Sequence, residues 1–258
     1  MKTQDFGDKY RPKRFSDFVG NKPVIQKLKN IIKRGSPPNG LLIHGPMGTG
    51  KTSLAKVFLK GLHCKDYSDD VCGKCESCIS FDKYRTLTGY SAYDCTTLTG
   101  KALRSIIREV EVPPWWSEID LHTNVFEEFD LIKPSLQEEF LTPLEIRDAI
   151  FIFLLIDLNK IIPPLRQRVS ILKIDPPEFE EVIPWLQRIC KEEGIVVEDV
   201  RALERLAYCA DRLPRESLRL LQEIFYLGEP VSLNSLKEVV RNSLAKDNKK
   251  LLSIFSDD

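Results

Sequence analysis

The chain has 258 residues, 42% hydrophobic and 29% charged, with 38 basic side chains balancing 38 acidic ones. That composition suits one or two globular domains with a sizeable core and excludes a disordered or fibrous chain. Neutrality excludes nucleic-acid binding by bulk charge, so a DNA contact needs a local patch or several chains acting together.

The N-terminal stretch MKTQDFGDKYRPKRF has no apolar signal-peptide region, and the longest apolar run, residues 149–156, is too short to span a bilayer. The expectation is a cytoplasmic protein with no membrane partner. Residues 16–35 open on polar residues that could cap a helix. They then place Val24, Ile25, Leu28, Ile31 and Ile32 at helical spacing. GLLIHG at 40–45 reads as a buried strand, and 51–63 as a helix. Residues 91–97 are a weak strand, and 100–112 an amphipathic helix. LHTNVFEEFD at 121–130 is a strand with acids at its carboxyl end, 133–145 a helix, and 149–157 a second buried strand. Strands alternating with helices predict a parallel α/β sheet covered on both faces. After the double proline 176–177 the pattern turns all-helical, with segments at 178–194, 197–210, 215–228 and 232–245. The expected organisation is an α/β domain over 1–175, a small helical domain over 176–245 and a tail over 246–258.

Between the first strand and its helix lies GPMGTGKT, a full match to G-x-x-x-x-G-K-[ST]. Gly45, Pro46, Met47, Gly48, Thr49, Gly50, Lys51, Thr52 and Ser53 form a loop whose amides can wrap phosphate oxygens, while the following helix aims its positive end at them. Lys51 would reach the β- and γ-phosphates, and the Thr52 hydroxyl would ligate Mg²⁺. Such a loop needs acids on a neighbouring strand. Glu127 and Glu128 fit, as a second Mg²⁺ ligand and a water-positioning base; the bland reading of this pair is a solvated acidic turn. The first acid is usually Asp. Mg²⁺ tolerates little distortion, so the extra methylene predicts intact binding and slow hydrolysis.

Cys64, Cys72, Cys75 and Cys78 form C-x7-C-x2-C-x2-C. Two close-spaced thiol pairs in a chain without an export signal favour a closed tetrahedral Zn²⁺ site, structural rather than catalytic. CGKC also resembles a redox CxxC, but that leaves two cysteines unexplained. Cys95, Cys190 and Cys209 stand alone on apolar segments and read as core residues.

A cysteine knot directly after the phosphate-loop helix resembles the gamma/tau type of clamp-loader ATPase of bacterial DNA polymerase III, an AAA+ family. KYRPKRFSDFVGNKPVIQKLKNII looks like its N-terminal signature, IIPPLRQRVSILKI like the segment closing its ATPase domain, and LPRESLRLL like its sensor-2 helix. The resemblance covers about residues 5–225. It implies a P-loop AAA+ domain with a zinc-knot insertion at 64–78, then a helical lid. It places Tyr10, Arg11, Pro12 and Val19 around the adenine of ATP or ADP, Arg168 as the arginine finger with Arg166 as rival, and Arg215 as the sensor-2 arginine. Surface charge is the alternative for these arginines. Two departures stand out. Leu155 or Ile156 occupies the polar sensor-1 position, which only a register shift could give to Asp157 or Asn159, and the family's C-terminal collar is nearly absent before Asp258. The implied partners are other clamp-loader subunits, a sliding clamp and primer-template DNA.

Lys101, Arg104 and Arg108 share one helix face, which the resemblance turns towards DNA; a solvated face reads equally well. Trp115-Trp116 reads as core or loop packing, or as a partner anchor. Two further functions compete with the loader ATPase: a non-hydrolysing nucleotide-binding scaffold, and a zinc DNA-binding module with an incidental phosphate loop.

Overall fold

The computed structural model describes residues 5–84, 90–111, 122–145 and 149–243. Trp115, Trp116 and the tail 246–258 lie outside them.

Five strands form one parallel sheet: β1 (Gly40–His44), β2 (Tyr90–Asp94), β3 (His122–Glu127), β4 (Ala149–Leu155) and β5 (Ser170–Lys173), in the order β2-β3-β4-β1-β5. Side chains alternate across it. Leu41 and Ile43 of β1 with Ile150, Ile152 and Leu154 of β4 bury against Leu54, Val57 and Phe58 of α3 (Lys51–Leu62) and Ile25 and Leu28 of α2 (Lys22–Arg34). Leu42, Phe151, Phe153 and Leu155 face the other way, onto Leu103 and Ile107 of α5 (Gly100–Glu111). There Phe126, Phe129, Phe140 and Phe153 interlock edge to face, tilted or, for Phe126 with Phe153, stacked. Burial on both faces explains why β4 reads as an unbroken apolar run.

The expected helix over 133–145 is broken. It resolves into α6 (Pro134–Gln137) and two 3₁₀ turns, Glu138–Phe140 and Pro143–Glu145. Pro143 cannot donate to a continuing helix. The fully buried Gln137 holds the break instead: its amide donates to the Ile132 and Lys160 carbonyls and its oxygen accepts the Ile162 amide. The strand expected to 130 stops at Glu127, because Glu128 turns to φ 55°. Asn21 precedes α2 without capping it. Its side chain donates to the Asp175 carbonyl and accepts the Asp175 amide, tying the start of α2 to the end of the sheet.

Four short elements escaped the sequence patterns: α1 (Phe6–Lys9), α4 (Glu76–Tyr84) inside the cysteine segment, α7 (Pro163–Arg168) and β5. After β5 the chain is helical: α8 (Phe179–Glu193), α9 (Val200–Cys209), α10 (Pro214–Leu227) and α11 (Leu233–Ser243). They close on their own core of Leu186, Ile189, Leu203, Leu206, Leu221 and Leu236. Phe6 of α1 joins that core. It is 2% exposed, and its amide donates to Gln222 Oε1. Among the described residues, no helix is long and apolar enough to cross a membrane.

Candidate nucleotide-binding site

β1 and β4 run side by side, so their carboxyl ends open onto the same crevice, where parallel sheets take their ligands. The loop from Gly45 starts there. A Cβ on Gly45, whose φ is 151°, would lie 2.1 Å from the Ile174 carbonyl oxygen, so only glycine fits. The Gly45 amide donates to Leu155 O, and the Ile174 amide to His44 O. The loop is thereby clamped between the ends of β4 and β5. Gly48 (φ 85°) and Gly50 (φ 96°) complete the curl, and no side chain caps the start of α3. Its first-turn amides therefore face the loop, as anion binding requires.

Lys51 folds back over this curl, with Nζ donating to the Gly45 and Pro46 carbonyls at 2.9 Å each. Burial lowers its pKa, against the attraction of Glu128 and Asp130. Thr49 donates to the Pro46 carbonyl. Thr52 Oγ1 donates to Glu127 Oε2 at 3.3 Å, so the two groups expected on Mg²⁺ meet across α3 and β3. The left-handed turn at Glu128 breaks strand alternation and brings that carboxylate to the Lys51 side of the site.

Beyond it, Asp130 is 8% exposed. It accepts the Ile156 amide at 3.4 Å and lies 3.5 Å from Lys160 Nζ. In the sequence it is marked only as the last acid of 121–130, set between Phe129 and Leu131. Leu155 and Ile156 put no hydrogen-bonding side chain at the end of β4, and Ile156 is 41% exposed there. Asp157 accepts the Asn159 amide in the turn that follows.

The helical region meets the loop through α10. The Arg215 amide points at Gly48 O from 3.5 Å, and a Cβ on Gly48 would lie 3.6 Å from Arg215 Cβ. Arg215 therefore stands at the phosphate loop with its side chain exposed. Arg168 is elsewhere engaged, donating to the Pro164 carbonyl of its own helix and lying 3.8 Å from Glu145; Arg166 is half-buried.

Of the N-terminal residues, Tyr10 packs against the helical core and donates to Glu193. Arg11 pairs with Asp8 at 3.1 Å, while Pro12 and Val19 are half-buried. The residue lying against the loop is Phe18, whose ring edge stands 3.6 Å from where a Gly50 Cβ would be. An aromatic two residues before a Gly-Asn turn carries no pattern that would have singled it out.

On α5, Lys101 and Arg108 are exposed, but Arg104 Nε pairs with Glu139 at 3.0 Å. The groove of about 410 Å³ beside them also holds Glu138. Acids therefore offset part of that basic face.

The Sγ atoms of Cys64, Cys72, Cys75 and Cys78 all lie within 4.8 Å of one another, and Cys72 and Cys78 within 3.9 Å. A tetrahedral ion with Zn–S of about 2.3 Å separates its sulfurs by about 3.8 Å, so the set fits such an ion. The Lys74 amide, against some burial and aided by the Cys75 amide, brings the Cys72 thiol down to about 6. These bonds favour the thiolate, the form that binds metal. Burial pushes Cys64 and Cys78 upward. Cys95, Cys190 and Cys209 are buried, and burial raises Cys95 to about 12 and the other two to about 11.

Comparison with known proteins agrees with this architecture. The family described as DNA polymerase III, delta subunit matches residues 20–178. Protein STICHEL of Arabidopsis thaliana is 26% identical over 92% of this chain and 20% of its own length. The DNA polymerase III subunit gamma/tau of Mycoplasma pneumoniae is 27% identical over 88% of this chain and 33% of its own. The chain thus spans a fifth to a third of these curated relatives. The Holliday junction branch migration motor RuvB of Thermotoga maritima superposes with TM-score 0.66 at 17% identity, over 90% of this chain and 72% of that one, so the two share a fold. With the family match covering more than half of its length, on this strand order and this loop, the chain belongs to the DNA polymerase III, delta subunit family of clamp-loader proteins.

Proposed function

We propose that the chain binds Mg-ATP at residues 45–53 and acts as one subunit of a loader that opens a sliding clamp and places it on primer-template DNA. The contact that carries this reading is Thr52 with Glu127, set directly behind Lys51 at the crevice of a parallel sheet. Lys51 would leave the Gly45 and Pro46 carbonyls for the phosphates, exchanging neutral acceptors for charged ones. Thr52 and Glu127 would hold Mg²⁺, which neutralises phosphate charge. Glu128 would orient the attacking water, and Arg215 would draw α10 onto the loop when the γ-phosphate is present. Tyr10, Arg11, Pro12 and Val19 would flank the base. Arg168 would act on a neighbouring subunit's nucleotide, and Lys101 and Arg108 would face DNA phosphates. A structural Zn²⁺ would occupy the four cysteines.

A second reading rests on a specific observation: the end of β4 offers only Leu155 and Ile156 where the resemblance expects a polar side chain. In that reading the chain is a non-hydrolysing scaffold that uses ATP as a structural ligand.

Calorimetry of Mg-ATP binding, followed by turnover with clamp and DNA added, separates the two. Lys51→Ala is expected to weaken binding roughly ten- to a hundredfold, the worth of a charge-assisted hydrogen bond or two. Turnover that vanishes in Glu128→Gln supports the enzyme. Tight binding with no turnover under any stimulation supports the scaffold, and no binding at all refutes both.

A further inference from the structure

The phosphate loop precedes α3 and the cysteine segment follows it. They are joined by residues 13–18, a strap between the two, and its backbone accounting is unusual. Four consecutive amides are taken up by two carboxylates. Asp17 Oδ2 accepts Lys13 and Arg14, and the two oxygens of Asp70 accept Phe15 and Ser16 at 2.9 Å each. Asp70 belongs to the cysteine segment. The same segment holds the strap once more, and α3 holds it from beneath. Arg14 Nη2 donates to the Cys72 carbonyl at 3.2 Å, and Gly73, at φ 69°, leaves room for it, since a Cβ there would lie 2.9 Å from that nitrogen. Lys60, 2% exposed, donates both to the Lys13 carbonyl and to Asp82 of α4.

The strap is equally fixed at its loop end. Phe15 is buried in the core under the sheet, and Phe18 lies against Gly50. Asn21, three residues on, is bonded to Asp175. The strap thus walls the loop on one side, and it runs between Pro12 and Val19, two of the residues that the reading above sets around the base.

We propose that Asp70 is a positioning residue for the nucleoside half of the ligand: by holding the amides of Phe15 and Ser16 it sets the strap against the phosphate loop, so the folded cysteine insert governs how tightly the base is held. This rests on the nucleotide reading above and adds which part of the ligand the insert serves. It differs from a purely structural role because it separates base affinity from phosphate affinity.

The test compares Mg-ATP with Mg-tripolyphosphate, which has the phosphates and no base, by calorimetry on the full chain. Zinc content is measured in parallel. In Asp70→Ala, ATP affinity is expected to fall about tenfold through two lost charge-assisted bonds, with tripolyphosphate affinity and zinc content unchanged. Asp70→Asn keeps one acceptor oxygen and is expected to fall between. ATP affinity within twofold of the parent in Asp70→Ala overturns the proposal, as does an equal loss for both ligands, which would mean general collapse of the loop. Should Asp70→Ala fail to fold, Arg14→Ala gives the same split on a smaller scale, and its absence there is equally fatal. A parent chain that binds tripolyphosphate but gains nothing from the base removes this proposal alone; a parent that binds neither removes the nucleotide reading with it.

Discussion

The loops after β1 and after β4 leave neighbouring strands of one sheet, paired His44 to Leu155, yet they are furnished differently. The β1 side holds the groups proposed to grip phosphate: three glycines at positive φ, Lys51 bonded within the loop and Thr52 bonded to Glu127. The β4 side ends in Leu155 and Ile156 and turns away through Asp157, with Asp130 as its nearest buried acid. Holding a triphosphate is a task for backbone amides and one cation. Responding to its cleavage needs a polar group at the far wall. The groups for the first are in place and those for the second are reduced, so the proposed function expects binding to outlast hydrolysis.

The sharpest way to break that contrast is Gly45→Ala. The added methyl would press on the Ile174 carbonyl oxygen at 2.1 Å. Complete loss of ATP binding is expected, with a lowered melting temperature; retained binding would show that the β1 loop is not the gripping wall. Phe6→Ala comes next. Removing this buried ring costs about 3–5 kcal/mol, or roughly 6–20 °C of melting temperature at this size. It should weaken the hold of the helical region on the N-terminal strap while leaving tripolyphosphate binding intact. Ile156→Thr tests the weaker wall. A hydroxyl there is expected to raise turnover about tenfold, part of the ~10²–10³ a well-placed donor supplies, with ATP affinity unchanged in a binding titration.

The smallest effect is one of pH. Burial would raise Glu193, but hydrogen bonds from Lys9 and Tyr10 outweigh it and hold its carboxyl below the ordinary value of 4.5. A lowered folded pKa gives stability that is complete above the ordinary carboxylate range and disappears as pH falls through the depressed value. Between pH 7 and 5 the melting temperature should therefore not respond to Glu193→Gln differently at the two ends. Below about pH 4 the difference between variant and parent should close.

How far the sequence carries this fold depends on the length scale of each signal. The buried strands β1 and β4 and the four C-terminal helices announce themselves through runs of Leu, Ile and Phe or a 3.6-residue period. The phosphate loop is legible because its chemistry lies in consecutive residues. The thiol spacing of 64–78 likewise survives into three dimensions as a tetrad. What escaped was set by distant contacts. β5 has four residues and only Leu172 fully buried, so no alternation is visible. The break at 138–145 depends on Gln137 reaching Lys160 and Ile162. Phe18 and Asp130 became part of the site only once the strap and the end of β4 were in place. Glu128 was legible as an acid, but not the left-handed turn that aims it.

The pairing of Phe6 with Gln222, 216 positions apart, has a consequence for how the molecule comes into being. During synthesis the first helix leaves the ribosome long before its resting place exists. At 5–20 residues per second that interval is roughly 10–40 s. The sheet can assemble meanwhile around Phe15, leaving α1 with a greasy ring and no pocket. Closure of so distant a contact comes late. The nascent chain therefore passes through a stage in which the sheet and the loop after β1 are formed and α1 is still unpacked, open to chaperones or to a neighbouring copy.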